Sequence, residues 1–183
     1  SSTDNYIRDR KNSTLEAHLL SGEEGRIFGG STDWLVGIYF ENRDVDLKRE
    51  FLDFDTFTDA QLSSDYQTQN LAFFGETTTA LNDRLSLTIG FRVEQWDADY
   101  KDSSAVILDT DETLYGGKVV IDYQVNDDHL LYASLARGYK PGGVNTDGTL
   151  NQAEREFDTE YQWAYEVGNK SSLLDDSLQI RVA

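Results

Sequence analysis

Cysteine and methionine are absent from this chain of 183 residues, and Pro141 is its one proline. Without cysteine there is no disulfide framework and no thiolate set for a structural zinc. Basic residues are scarce: 16 Lys and Arg stand against 34 Asp and Glu, for a net charge of -18. Such a balance repels a polyanion, so no nucleic acid is expected as a partner. Long apolar runs are missing too. The longest, Trp34–Phe40, is far too short for a membrane-spanning helix. The polar start SSTDNYIRDRK has no signal-peptide pattern. None of this excludes a membrane, because a β-barrel crosses on alternating strands whose individual signal is weak.

What the chain does have is alternation. Along VVIDYQVNDDHLLYASLARGYKPGGVN (119–145), Val119, Ile121 and Tyr123 share one face, opposite Lys118, Val120 and Asp122. After Asn126-Asp127-Asp128, Leu131, Ala133 and Leu135 resume the apolar face, opposite Tyr132, Ser134 and Ala136. Period-2 alternation broken by a short polar turn predicts a β-hairpin, and Asn and Asp suit the turn. The unit recurs at LNDRLSL (81–87) and LLDDSLQI (173–180), with turns roughly 45 residues apart. A repeated hairpin builds an antiparallel meander, curved or closed into a barrel. Further alternating stretches at Asn12–Leu20, from Trp34, from Gln69 and from Gln162 bring the expected total to eight strands, the last ending in mid-strand.

Two features favour a membrane barrel over a soluble sandwich. The alternation from Leu85 to about Tyr100 extends roughly 50 Å, whereas soluble strands usually stop at about 5–6 residues. The expected connections also alternate, tight at 82–83, 126–128 and 174–176 and long at 44–67, 101–111 and 140–160. Outer-membrane barrels keep short turns in the periplasm and long loops outside, which sets the expected orientation. One face is Leu, Val, Ile and Phe. The other carries Glu16, Glu76, Arg92, Glu94, Lys118, Asp122, Glu166, Lys170 and Arg181, as a wet interior would, with its carboxylates in cross-strand pairs to Arg92 and Lys170. Trp34, Tyr115, Tyr123 and Trp163 fall near strand ends on the apolar face, as an aromatic girdle would.

LLYASLARGYKPGGVN (130–145), YEVGNKSSLLDDSLQIRVA (165–183), DWLVGIYFE (33–41) and FGETTTALNDRLSLTIGFRVEQ (74–95) together resemble the barrel of a TonB-dependent outer-membrane receptor. The resemblance implies an all-β antiparallel transmembrane meander, about eight strands of a barrel of about twenty-two with a plug in its lumen. It also implies the outer membrane of a Gram-negative bacterium, contact with its lipid, and import of a scarce nutrient such as a ferric siderophore. The inner-membrane TonB complex would supply the energy. Three departures are expected to matter: no plug domain and no TonB box, only about eight strands, and Asn169 on the lipid-facing register. Residues 1–183 are therefore read as part of one barrel domain that does not fold alone, since open strand edges are not tolerated in lipid.

No catalytic, cofactor or metal site is expected. The Arg137–Gly143 run lacks the Gly-Lys-Ser/Thr ending of a phosphate loop and reads as a strand exit. Asp53, Asp55 and Asp59, or Asp97, Asp99 and Asp102, have oxygens for calcium, though solvated loop charge is the simpler reading. His18 and His129 have no nucleophile partner in the sequence, so a hydrolase is not expected. Ligand-contact candidates are Arg137, Tyr139, Lys140 and Asn145, cationic and aromatic groups beside a Gly-rich bend that suit an anionic, ring-bearing ferric chelate. The alternatives are a self-contained eight-stranded outer-membrane barrel with a structural or adhesive role, and a soluble ligand-binding β-sheet protein.

Overall fold

A computed structural model describes residues 2–146, 150, 152–174 and 177–183. Eight strands form one antiparallel sheet: β1 (Ser2–Leu20), β2 (Thr32–Asp53), β3 (Thr58–Asn82), β4 (Leu85–Asp102), β5 (Ile107–Asn126), β6 (His129–Lys140), β9 (Glu160–Leu173) and β10 (Leu178–Val182). They pair in that order. Between β6 and β9 the chain makes an excursion containing β7 (Gly143–Val144), a one-turn helix α1 (Gln152–Arg155) and β8 (Glu156–Phe157). β7 and β8 pair only with each other. No described helix is long and apolar enough to cross a membrane, which says nothing of a β-barrel.

The turns fall where the sequence puts them, and the local chemistry is visible. Asn82 Oδ1 accepts from the Arg84 amide at 2.9 Å, and Asn126 Oδ1 from the Asp128 amide at 3.0 Å. Both are side-chain-closed turns of the kind Asn favours. The turn expected at 174–176 joins β9 to β10, but residues 175–176 lie outside the described residues. Asn169 is on the apolar register opposite Leu131, with Ser171 donating to its Oδ1 at 2.6 Å.

The sheet is apolar outside and polar inside. On β3 and β4, Phe73 is 51% and Phe91 47% exposed, whereas Ala72 is 1% and Glu94 4% exposed. Outward residues change character along a straight cross-strand line. Ile38, Phe73, Val93 and Tyr115 stand side by side, and three outward rows further along are Asp44, Gln67, Asp99 and Asp109. On β4 the apolar band runs from Leu85 to Val93. That is roughly 30 Å along the strand, which a tilt of about 40° brings close to the apolar height of an outer-membrane barrel.

Two expected loops are corrected. Residues 44–67 and 101–111 are mostly strand: β2 and β3 pair without interruption from Thr32↔Thr79 to Asp53↔Thr58, leaving 54–57 as the connection. β4 and β5 pair up to Lys101↔Ile107, leaving 103–106. Past the apolar band the outward face turns charged while inward positions such as Leu47, Ala98, Tyr100 and Leu108 are apolar, so the backbone ladder continues while the apolar-out pattern inverts. The strict alternation of tight and long connections fails with them. The 21–31 connection, with its short 3-10 turn, is at the same rim as the tight turns.

Candidate functional site

The inner, concave face is the candidate site, and its residues come from alternation alone. Glu94 accepts hydrogen bonds from Asn70 Nδ2 (2.8 Å), Arg92 Nε (2.7 Å) and the Tyr139 hydroxyl (2.8 Å). Arg92 stands over the rings of Tyr39 (5.3 Å) and Phe74 (6.0 Å), so its charge is held by a carboxylate and by aromatic faces. This group borders a cavity of about 670 Å³ lined by Phe74, Gly90, Arg92, Gly116, Lys118 and Tyr139. Asn70 Oδ1 and Trp96 Nε1, on directly paired residues, are buried without a protein partner.

Glycine makes two of these contacts possible. Glu76 on β3 and Lys118 on β5 flank Gly90 on β4, and they meet across it at 2.7 Å. A Cβ there would lie 3.3 Å from Lys118 Cε and 3.4 Å from Glu76 Oε2. Gly116 does the same for Tyr139, whose ring would be 3.1 Å from an added Cβ. The expected pairing of interior carboxylates is corrected accordingly. Glu76 pairs with Lys118, Glu94 pairs with Arg92 along one strand, and Glu166 accepts from the Tyr132 hydroxyl at 2.5 Å. Lys170 lies over the Tyr132 ring.

Toward the 103–106 end, the β7–β8 hairpin folds onto the inner face. Arg155 Nη1 donates to Asp102 Oδ2 at 2.6 Å, with the two side chains 5% and 0% exposed. The Tyr100 hydroxyl donates to the same oxygen, while Asp102 Oδ1 accepts from the amides of Ser104 and Val106. Burial, then the bond to Asp102, pushes the Tyr100 hydroxyl up to about 12. Burial works against an ionised Asp102, but the bonds from Arg155, Tyr100 and the two amides outweigh it and hold that carboxyl below its usual range. Val144 packs with Tyr100 and Leu108 beneath the hairpin, and the Thr159 hydroxyl bonds Glu112.

The four ligand-contact candidates are dispersed. Arg137 is on the outer face, over the rings of Tyr115 (4.2 Å) and Tyr161 (4.0 Å), within the aromatic edge of the apolar band. Tyr139 is inside, because past the Gly117↔Arg137 pair β6 leaves β5 and crosses over Gly116. Lys140 is exposed, 3.9 Å from Glu160. The Asn145 amide donates to the Arg155 carbonyl, in the hairpin itself. Of the four, Tyr139 and Arg137 border the cavity, and Lys140 and Asn145 do not.

The other candidate chemistry resolves readily. Asp97 and Asp99 face outward while Asp102, on the opposite register, is held by Arg155, so they share no site. Asp53 Oδ1 accepts from the amides of Asp55 and Thr56 and closes a turn. His129 does find a partner that the sequence hid: its Nδ1 is 2.8 Å from Ser171 Oγ. That hydroxyl gives its proton to Asn169, so the ring is not acting as its base.

Comparison with known proteins agrees with this architecture. The profile of the family described as "TonB dependent receptor-like, beta-barrel" matches residues 1–183. The chain is 26% identical over 160 residues to the pesticin receptor of Yersinia enterocolitica serotype O:8, covering 81% of this chain and 23% of that protein. The pesticin receptor of Yersinia pestis matches to the same extent. Among solved structures, the ferric yersiniabactin uptake receptor FyuA of Yersinia pestis superposes with a TM-score of 0.80 at 21% identity, covering 96% of this chain and 28% of that one. The ferric-catecholate import receptor Fiu of E. coli K12 gives a TM-score of 0.70 at 15% identity, covering 95% and 30%. The chain thus spans about a quarter of the length of the curated relatives it matches.

Proposed function

The chain belongs to the TonB-dependent receptor-like β-barrel family, and from that premise we propose that it forms wall and outer mouth of a transporter importing a small, scarce nutrient of the ferric-chelate class. Its setting is the outer membrane of a Gram-negative bacterium. The observation that carries the proposal is the contrast of faces: an apolar band outside, and inside a hydrogen-bonded lining of Arg92, Glu94, Lys118 and Glu76 around a cavity of about 670 Å³. Two receptors of similar structure, one for ferric yersiniabactin uptake and one for ferric-catecholate import, support the chelate class. The role is non-enzymatic. Its partners are outer-membrane lipid, a plug domain in the lumen, and the inner-membrane TonB complex as energy source.

Deleting the gene for the full receptor and measuring uptake of iron-55 chelates by iron-starved cells tests this. Uptake of at least one chelate should fall, return with the gene, and vanish in a strain without TonB. Uptake unchanged across a panel of catecholate, hydroxamate and carboxylate chelates would overturn it. The self-contained eight-stranded barrel would be favoured instead if residues 1–183 alone refolded in detergent as a heat-modifiable monomer. β1 and β10 each pair on one side only, which argues against that outcome.

A further inference from the structure

Halfway up β5 the sheet loses a neighbour. β6 pairs with β5 only as far as Gly117↔Arg137, while β4 pairs with it on to Lys101↔Ile107. From Ile107 to Gly116, β5 therefore has an open side within the sheet, between strands of this same chain. The direction of its backbone groups follows from parity. The Gln124 amide and the Val106 carbonyl bond to Arg84 and Asp102 on the β4 side, and the Tyr115 carbonyl accepts from Arg137 on the β6 side. Even positions thus serve β4, and Asp109, Asp111 and Thr113 aim N–H and C=O into the gap. Among the described residues, no strand pairs with them there.

β6 does not reclaim this edge. Carried four residues past Gly117↔Arg137, the same register would set Pro141 opposite Thr113, where the ladder requires an N–H that proline lacks. The chain from Tyr139 onward is tied inward instead, by the Tyr139 hydroxyl to Glu94, the Thr159 hydroxyl to Glu112 and Arg155 to Asp102. The side chains along the edge are patterned too. Asp109 and Asp111 face outward and are exposed, directly opposite Asp99 and Asp97 on β4. Like charges so placed repel. Lys101, the next outward residue after Asp99, is 3.3 Å from Asp65 rather than beside these four. On the inward side of β5, Leu108 and Leu114 are buried.

We propose that the open edge of β5 over 107–113 docks an extended segment of another protein as an added strand, one in which basic and apolar residues alternate. Main-chain hydrogen bonds to Asp109, Asp111 and Thr113 supply the pairing. Lysine or arginine at alternate positions then stands beside Asp109 and Asp111 and relieves their repulsion, while the intervening apolar residues extend the inward row of Leu108 and Leu114. The edge is above the apolar band, so in the expected orientation the partner arrives from outside the cell. The docking goes beyond the transport reading and involves no chelate.

The test uses the full receptor purified in detergent, with the alternating octapeptide (Lys-Val)4 as probe in calorimetric titration at low salt. The peptide should bind saturably, and (Glu-Val)4 should not. Two further copies are N-methylated, one on every lysine and one on every valine. Only one of these sets aims its amides at β5, so one copy should lose binding and the other keep it. Asp111→Pro removes an amide that points into the gap rather than toward β4, and should weaken binding at least about tenfold. Asp111→Asn, which removes charge alone, should weaken it at most about fivefold. Asp46→Asn, at an outward carboxylate on β2, should change nothing. If Asp111→Pro fails to migrate as a heat-modifiable barrel, the methylated copies decide. No saturable binding, equal binding of (Glu-Val)4, the same response to both methylated copies, or a folded Asp111→Pro that binds like the parent would overturn the docking edge. None of these outcomes bears on chelate uptake, so the two proposals fail separately.

Discussion

The same strands run through two environments, and the lower and upper parts of the sheet obey different rules. In the lower part, from the turns at Asp83 and Asp127 up to Val93 and Tyr115, outward residues are apolar and inward ones polar. In the upper part the outward face is charged and the inner face carries a small apolar cluster around Tyr100 and Leu108, and the ladder is unbroken: β2 has 22 residues and β3 has 25, far more than the roughly 9–11 that a bilayer needs. Order there comes from backbone hydrogen bonds and from particular side-chain ties such as Arg155–Asp102 rather than from burial against lipid. A feature of the upper part is held by specific pairs, one in the apolar band by composition.

The largest expected effect concerns which part faces which compartment. Residues 1–183 contain no cysteine, so labelling of single cysteines placed here is read against the unsubstituted receptor. In the full receptor on intact cells, Ser104→Cys, in the 103–106 connection, should react with a membrane-impermeant maleimide. Asp127→Cys, in the opposite turn, should stay unlabelled until the outer membrane is opened. The reversed pattern would invert the proposed orientation, and equal labelling of both would remove the membrane from between them.

A charge scan sharpens the boundary itself. Ile89 faces outward in the middle of the apolar band, and Asp99 faces outward above it. Ile89→Arg should cost about 2–4 kcal/mol of unfolding free energy in a lipid bilayer, as lipid-facing arginine does near the midplane. Asp99→Arg should cost nothing, because it replaces a carboxylate set directly opposite Asp109. Equal losses at the two sites, measured by denaturant titration in vesicles, would erase the boundary drawn at Val93.

How much of this the sequence displays follows from the same division. Where one face is apolar, at Leu85–Val93 or Val119–Tyr123, period-2 alternation reveals strand, face and turn together. At Asp44–Gln67 the period persists but its sense is inverted, with Asp44, Asp46 and Lys48 outward and Val45 and Leu47 inward, so a reading keyed to an apolar outer face takes the stretch for charged loop. Arg137 was legible as outward, being two residues past Leu135, although its charge suggested a ligand. Tyr139 has the same parity and still ends inside, because β6 leaves β5 after Arg137, which no local pattern announces. The Arg155–Asp102 tie and the Glu76–Lys118 contact over Gly90 join distant segments, so sequence spacing carries no trace of them.

A buried tie should matter far more than an exposed one in the upper part. Asp102→Asn removes the carboxylate charge from the Arg155–Asp102 pair, whose side chains are 5% and 0% exposed, and breaking such a pair costs about 3 kcal/mol or more. The loss should be local, read as faster amide exchange and proteolysis at β7 and β8. The pH dependence has two limits. Asp102 is held below its usual range, so its contribution is complete above about pH 4 and lost as pH falls through the depressed value. Tyr100 is pushed up to about 12, so its contribution is complete below about pH 10 and lost as pH rises through 12. Hairpin protection that ignored both the substitution and acid would mean that packing of Val144 alone holds it down.

The smallest effect belongs to the exposed counterpart. Lys101 Nζ is 3.3 Å from Asp65 Oδ2 across the β3–β4 ladder, with the side chains 67% and 58% exposed. In water the attraction is weak and both side chains give up rotamer freedom to hold it, so Lys101→Gln should cost at most about 0.5 kcal/mol. What cost there is should disappear at 1 M salt, where the screening length falls to about 3 Å. Asp65 also shares a hydrogen bond with Asp46, which raises the Asp46 carboxyl above its usual range, so the lysine is one of several influences on this acidic surface. Denaturant midpoints of parent and variant at low and high salt decide the matter. A loss that persisted at high salt would show that the outer acidic rows are held by specific pairs after all, and the contrast between buried and exposed ties would fail at its weaker end.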